Sequence, residues 1–516
     1  MSSERRYARE ALLIHYFFAA DRLDRKGSRR LAFLWEACAQ AGMDRSPSPG
    51  GDLSLPADPG RAVGGRSLRQ RTDAGATNQA MLYRLSGAVG LAVMLAADEG
   101  PGRTGPQSAA RLRALADDWD TACARAAQTA DGSEDGTLIG SVRIHRSLVL
   151  PGEAAPVDLA AADLAVVAEE FRGELAPQSL LSRPVDLADG LAVWELTRPR
   201  EAFPVDRTLF ATTAATDAQE GRLDDWVWAA ADDRIVPLTR YLVHAATVRD
   251  QYRVHADGTP LLDARLRRLQ EQGEALTRDW QQVLASQTAG GRVGRRDLAR
   301  CESIVVRAQS LLAEERLANT TTGDLRAMIR TAEISAAGMR VLGTGADGTP
   351  KALEDDAQCH ALLTPVLDDN VTYLEIARDQ VAETSRIASE TAAQRLQSHQ
   401  QYLTLLQTSV IGALLMTLTA VQTLAYKLPV PDRLHAPLIA LLGSLGLSLP
   451  LVVARRWRGG AGGWAGSVLE MASLTATGAA AGWLTGRAVG HTVLLVLGGT
   501  ALFIVAGTWL TRRSSA

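Results

Sequence analysis

Chemistry in this chain would have to come from a short set of residues. Cys359 and His360 stand side by side and offer a thiol and an imidazole, the groups of nucleophilic catalysis and soft-metal ligation. Adjacent helical positions point about 100° apart, so one metal ion is hard to reach from both. Asp355 and Asp356 pair two carboxylates, but their place just after a Gly-rich stretch makes a solvated turn the expectation. Residues 343–348 (GTGADG) hold the glycines a phosphate cradle would use. They follow a helical pattern instead of a strand, so a turn is expected there and not a dinucleotide site. His244, close to Tyr241, is expected to be packed and hydrogen-bonded instead of serving as a general base. No G-x-x-x-x-G-K-[ST] loop and no G-x-S-x-G elbow occurs, and the eight histidines show no H-E-x-x-H spacing. The expectation is therefore no catalytic set, no cofactor and no metal: the chain is not expected to be an enzyme.

The four cysteines, Cys38, Cys123, Cys301 and Cys359, are widely spaced and include no C-x-x-C pair. Neither a zinc site nor a disulfide scaffold fits, and reduced, mostly buried thiols are expected. A net charge of −3 over 516 residues leaves no basic excess for nucleic acid. No secretory signal is expected at the N-terminus. Residues 11–18 (ALLIHYFF) are apolar but short, and a charged run (DRLDRK) follows closely, so a buried strand is the reading.

The elements that carry these residues divide the chain four ways. Residues 1–230 read as an α+β cytoplasmic region, with two similar modules as one arrangement. Strands are expected at 11–18, 136–150, 190–196 and 208–213, and helices at 28–41, 78–97, 108–127 and 158–174. Residues 231–361 read as a helical bundle, with helical spacing at 236–254, 261–284 and 295–317 and a break at ASQTAGGRVG. Residues 362–407 read as a long helix starting near Asp368 and Asp369. Its thin apolar seam has Leu367, Leu374, Val381 and Ala388 seven apart, then Leu396, Leu403 and Val410. Continued to Ala425, that helix would be about 90 Å long, and a helix with so narrow a seam needs a partner, either the preceding helices or a second copy.

Residues 408–516 are expected to hold about four transmembrane helices, at 408–425, 436–454, 467–485 and 488–511, each close to the ~20 residues a bilayer needs. The third run (SLTATGAAAGWLTG) is rich in small residues and is expected inside the bundle, or re-entrant. Its acid, Glu470, lies three residues after Ser467, so a helix cap near the interface outweighs a functional membrane acid. Arg455, Arg456, Arg458, Arg512 and Arg513 on one side outnumber Lys427, Arg433 and Arg487 on the other. This places the N-terminal body and the C-terminus in the cytoplasm of a bacterial inner membrane. Trp457, Trp464, Trp483 and Trp509 fall near the ends of the runs, as interfacial anchors do. The lipid bilayer is thus an expected partner.

One stretch carries a resemblance. LDDWVWAAADDRIVPLTRYLVHAATVRDQYRV, residues 223–254, joins a tryptophan pair to a signature helix through Trp226, Trp228, Arg240, Tyr241, His244, Arg249 and Arg253. It resembles the CATRA proteins, the caspase- and TPR-repeat-associated proteins of bacterial conflict systems, and departs from their pattern at Thr247, where lysine is commoner. LLIHYFF, QAMLYRL and GLAVWEL are similar to further segments of that family. The resemblance implies a defence role beside a caspase-like protease or TPR protein, with no known catalytic residues, so the signature residues are expected to be structural. A second likeness is architectural. An α+β body, a bundle and a long helix entering the membrane resemble CorA-type magnesium channels, which would imply a divalent-cation channel and a ring-shaped homo-oligomer. The G-M-N motif of those channels is absent, and LAYKLPVPD stands in its place.

Overall fold

The computed structural model describes residues 5–23, 25–63, 66–97, 100, 102–127, 138–150, 161–188, 190–198, 203–228, 235–288, 295–345, 349–425, 431–457 and 464–513. It divides into two compact units, residues 1–263 with 321–373, and residues 264–320 with 374–516.

The first unit is organised by strand β1 (Tyr7–Ala19). Ten of its last ten residues are buried, which explains an apolar run without alternation: both faces of the strand are covered. Around it lie α1 (Arg25–Gln40), β2 (Arg66–Thr72), β3 (Gln79–Leu85), β4 (Ala88–Ala96), α2 (Gly105–Ala127) and β5 (Leu138–Val149). Then come α3 (Ala161–Leu175), β6 (Leu180–Leu181), β7 (Val185–Ala188), β8 (Leu191–Thr197), β9 (Asp206–Ala214) and α4 (Asp217–Val227). The strands form one mixed sheet in the order β2-β3-β4-β1-β5-β9-β8-β6, with β7 also on β8. From its centre the sheet reads alike in both directions: β1, β4, β3, β2 one way and β5, β9, β8, β7 the other. The likeness is one of order only, because β1–β4 is antiparallel and β5–β9 is parallel.

Helices α1, α2 and α3 cover one face. Leu12, Ile14, Tyr16 and Phe18 of β1 share a core with Leu34, Trp35 and Cys38, Leu112, Leu115 and Trp119, and Leu164, Val167 and Phe171. The Trp119 indole donates to Tyr16 Oη at 2.9 Å, so even the polar atoms of this core are paired. Leu13, His15 and Phe17 point the other way and are equally buried. Gly140 of β5 lies against Ala246, with only 3.1 Å left between that methyl and any Cβ at 140.

Residues 78–97, expected as a helix, are a hairpin. Strands β3 and β4 pair in register from Gln79↔Met94 to Leu85↔Ala88 across Ser86 and Gly87. Tyr83 packs over Gly90, where a side chain would strike its ring. Burial of four consecutive residues in β3 and of most of β4 removes the period-2 signal, and the small residues imitate a helical pattern.

Three long helices follow: α5 (Pro237–Thr288), α6 (Arg295–Met339) and α7 (Glu354–Ala425). Pro260 and Pro365 lie inside α5 and α7 without ending them. Helix α7 thus begins earlier than its sequence suggests, with Glu354, Asp355 and Asp356 in its first turn in place of Asp368 and Asp369. In the second unit Leu276 and Val283 of α5, Cys301, Ile304 and Leu311 of α6, and Val381, Ala388 and Ala392 of α7 form one three-helix core. Three apolar helices complete that unit: α8 (His435–Trp457), α9 (Trp464–Val489) and α10 (Thr492–Arg513). Gly478, Gly482 and Gly486 let α9 meet the backbone of α10 at Gly499, Leu495 and Thr492. Ser448 and Thr477 bring α8 to the same helix. The small-residue run therefore packs against both α8 and α10. Among the described residues, one helix, α7, is long and apolar enough to cross a membrane.

Candidate functional site

Two of the signature residues, Tyr241 and Arg249, meet in a buried set of four charges. Glu195 comes from β8, Arg207 from β9, Arg249 from α5 and Asp356 from the first turn of α7; with Tyr241 of α5, all are between 0% and 4% exposed. Asp356 is the main correction to the sequence reading, which expected it in a solvated turn. It is sealed in the interior because two guanidiniums reach it there. Arg207 holds Glu195 in a fork, Nε to Oε1 and Nη2 to Oε2, both at 2.8 Å, and its Nη2 also donates to Asp356 Oδ2 at 3.0 Å. Arg249 Nε donates to Asp356 Oδ1 at 2.6 Å, and its Nη2 lies 3.3 Å from Glu195 Oε2. Tyr241 Oη donates to Asp356 Oδ2 at 2.6 Å and accepts the Leu353 N–H at 2.9 Å, so it closes the loop ahead of α7 as well.

Electrostatics follow from the count of two cations and two anions. Burial opposes the Asp356 charge, but Arg207, Arg249 and the Tyr241 hydroxyl outweigh it and hold that carboxyl below its ordinary value. Burial likewise opposes the Arg207 charge, and Asp356 and Glu195 reverse the balance and raise it. Burial together with Asp356 keeps the Tyr241 hydroxyl protonated. A neutral tetrad of this kind is costly to assemble and far costlier to break one-sidedly, since a lone buried charge remains.

Each carboxylate accepts from guanidinium donors, while Nη1 of Arg207 and Nη1 of Arg249 are buried with no hydrogen-bond partner among the described residues. Of the two cavities that stand out, one is about 60 Å³ and is lined by Arg71, Gln79, Met81 and Trp228, among others. The other is a shallow depression around Arg103, Gln107 and Arg111. Among the described residues no group of three His, Cys, Asp or Glu could hold a metal ion. Cys359, with Cys38 and Cys301, is a buried free thiol, and burial pushes it up to about 12. The imidazole of His360 has its Nε2 buried with no hydrogen-bond partner among the described residues.

The remaining signature residues scatter around the tetrad. Arg253 donates from Nη2 to the Ile139 carbonyl at 2.6 Å and pairs with Asp250, which Arg22 also holds at 2.9 Å. His244 is buried against Gly338 of α6; burial, and then Arg240, lowers its pKa. Trp228 donates its indole N–H to Gln79 Oε1 at 3.2 Å, whereas Trp226 is half-buried and Arg240 exposed. Glu470 falls in α9 with its side chain outside the described residues, as do the side chains of Arg455, Arg456, Arg458, Arg512 and Arg513.

Sequence reasoning missed Glu195, Arg207 and Asp356 as partners of the signature helix. It also missed Glu10, fully buried in β1, which accepts from Arg103 Nη1 at 2.6 Å and Ser108 Oγ at 2.8 Å. A weak signal existed for Glu195: it is the one charge in the apolar strand LAVWELT.

This helix-to-sheet junction coincides with the boundary of two family profiles. The caspase and TPR repeat-associated N-terminal domain, CATRA-N, matches residues 11–231, and the corresponding C-terminal domain, CATRA-C, matches residues 236–381. The chain belongs to the CATRA family. Each CATRA domain contributes half of the tetrad: Glu195 and Arg207 lie in CATRA-N, Arg249 and Asp356 in CATRA-C. The family description ties the chain to caspase and TPR-repeat systems. No curated protein and no solved structure matches it.

Proposed function

We propose that this chain is a membrane-anchored, non-enzymatic component of a bacterial conflict system, acting with a caspase-like or TPR-repeat partner. The observation that carries the reading is α7. Its first turn is fixed in the CATRA body by Asp356, and the same helix ends in a stretch without a formal charge, where Leu414, Leu415, Leu418 and Val421 are exposed. Exposed leucine and valine at that density call for lipid or an apolar partner, and charge-free length favours lipid. The outward residues of α10, Val493, Leu494, Leu497, Leu502 and Val505, support the same environment. The arginine distribution supports a cytoplasmic body and C-terminus. On this reading the body senses its partner and α7 carries the response into the bilayer, where helices α8 to α10 perturb it.

Flotation of the full-length chain with lipid vesicles, followed by alkaline carbonate extraction, tests the anchor. Retention in the vesicle fraction is expected; release into the aqueous fraction would remove the anchor. Co-purification with the caspase-like or TPR protein encoded beside it tests the partnership. Membrane depolarisation on co-expression tests the outcome, and cation-selective flux in liposomes would favour the channel reading instead.

A further inference from the structure

The apolar face of α7 outlasts the helices that cover it. Val381, Ser385, Ala388 and Ala392 are buried, three of them in the three-helix core with α5 and α6. At about 100° per residue the same face continues through Leu396, His399, Leu403 and Val410. Leu396 is already only partly buried against that core. Leu403 is 51% and Val410 41% exposed, and every described side chain from 400 to 416 is exposed. The four-residue step from Ala392 to Leu396 interrupts a strict heptad and keeps the face straight instead of winding it away.

We propose that this uncovered continuation, centred on Leu403 and Val410, is the contact between identical α7 helices, lying parallel and in register in a homo-oligomer. Three observations select a second copy as the occupant. Between Arg395 and Lys427 the sequence has no Asp, Glu, Lys or Arg, so two copies meet without repulsion. His399, Gln400 and Gln407 flank Leu403 on the seam and offer uncharged donors and acceptors, the groups that join helices across such a contact. Residues 397–425 would be about 43 Å long as helix, against a hydrocarbon core of roughly 30 Å, so lipid tails leave the turns around Leu403 uncovered. This last argument rests on the membrane-anchor reading. Anchoring each copy by the same end then makes the pairing parallel.

The test is cysteine scanning of the full-length protein in native membranes. Leu403→Cys and Val410→Cys are compared with Gln401→Cys and Thr408→Cys, which lie on the opposite face. Under mild oxidation, dimers at 403 and 410 are expected at least tenfold above those at 401 and 408, with unsubstituted protein as the baseline. Equal cross-linking at all four positions, none at any, or cross-linking at 403 to a different protein overturns the proposal. Leu403→Lys is expected to convert the detergent-solubilised oligomer to monomer while Gln401→Lys leaves its mass unchanged; unchanged mass for both also overturns it. An unaltered limited-proteolysis pattern in each variant confirms a folded body. Vesicle flotation of the same samples is read separately. Protein that floats without selective cross-links sinks the oligomer and spares the anchor. Selective cross-links in protein that does not float do the reverse.

Discussion

Helix α7 presents two opposite exceptions to ordinary burial. At its start, Asp356 and its three charged neighbours are sealed from water. Toward its end, uncharged leucine and valine are exposed. A charge inside must be neutralised by designed partners, and apolar surface outside must be covered by something other than water. The first exception is resolved within the chain by a fork of guanidiniums. The second is not resolved among the described residues of the chain.

The comparison can be broken first at the buried end. Asp356→Ala leaves Arg207 and Arg249 short of a counter-charge, and a cost of about 3–5 kcal/mol is expected in denaturant unfolding of the full-length protein. Exchanging Asp356 for Asn retains the shape and still loses the charge, so a near-neutral outcome there would show that the tetrad is not what fastens α7. At the apolar end, Leu415→Arg places a charge in the stretch read as membrane-spanning, where about 3 kcal/mol against insertion is expected. The membrane-extracted fraction should rise, and no change would argue that this stretch is not in lipid.

Acid provides a third comparison, because His15 and His145 are buried without a counter-charge. Burial holds His15 at about 4, and burial with Arg143 does the same for His145, against an ordinary 6.5. Below 6.5 the unfolded chain binds protons that the folded one refuses. Stability should therefore fall as pH drops from 6.5 to 4, by up to about 3 kcal/mol for each histidine, and the histidine contribution should stay flat above 6.5. Melting curves across that range check it, with His15→Leu expected to flatten the slope. A smaller effect is expected at Gly338, where a methyl would strike the His244 ring. Gly338→Ala should cost about 1–3 kcal/mol by overpacking, and His244→Ala in the same chain should recover part of it. Smallest of all is the exposed pair Arg386–Glu383: Arg386→Ala should leave melting unchanged, because water screens such a pair.

Much of the site was half-legible before the structure. Tyr241 and Arg249 are polar groups on an otherwise buried helix face beside Leu238, Leu242, Ala245 and Ala246, and Glu195 is the one charge in an apolar strand. Nothing local says that these belong together. Arg249 and Glu195 are 54 positions apart, Arg249 and Asp356 107, Arg207 and Asp356 149. Asp356, set among Glu354 and Asp355, has the local pattern of an ordinary acidic helix start. The helix expected at 78–97 failed for a related reason: burial on both faces erases the alternation that identifies a strand.

By itself the sequence determined the charge-free stretch over residues 396–426, the absence of recognisable catalytic motifs, the long helical middle and the signature helix of the family. All of these are properties of composition or of spacing within a few turns, which physics reads locally. Only the tertiary structure decided that Asp356 is inside, that two arginines neutralise it, and that the face of α7 runs on past its own cover. Burial depends on what distant chain arrives, and no short window of residues contains that information.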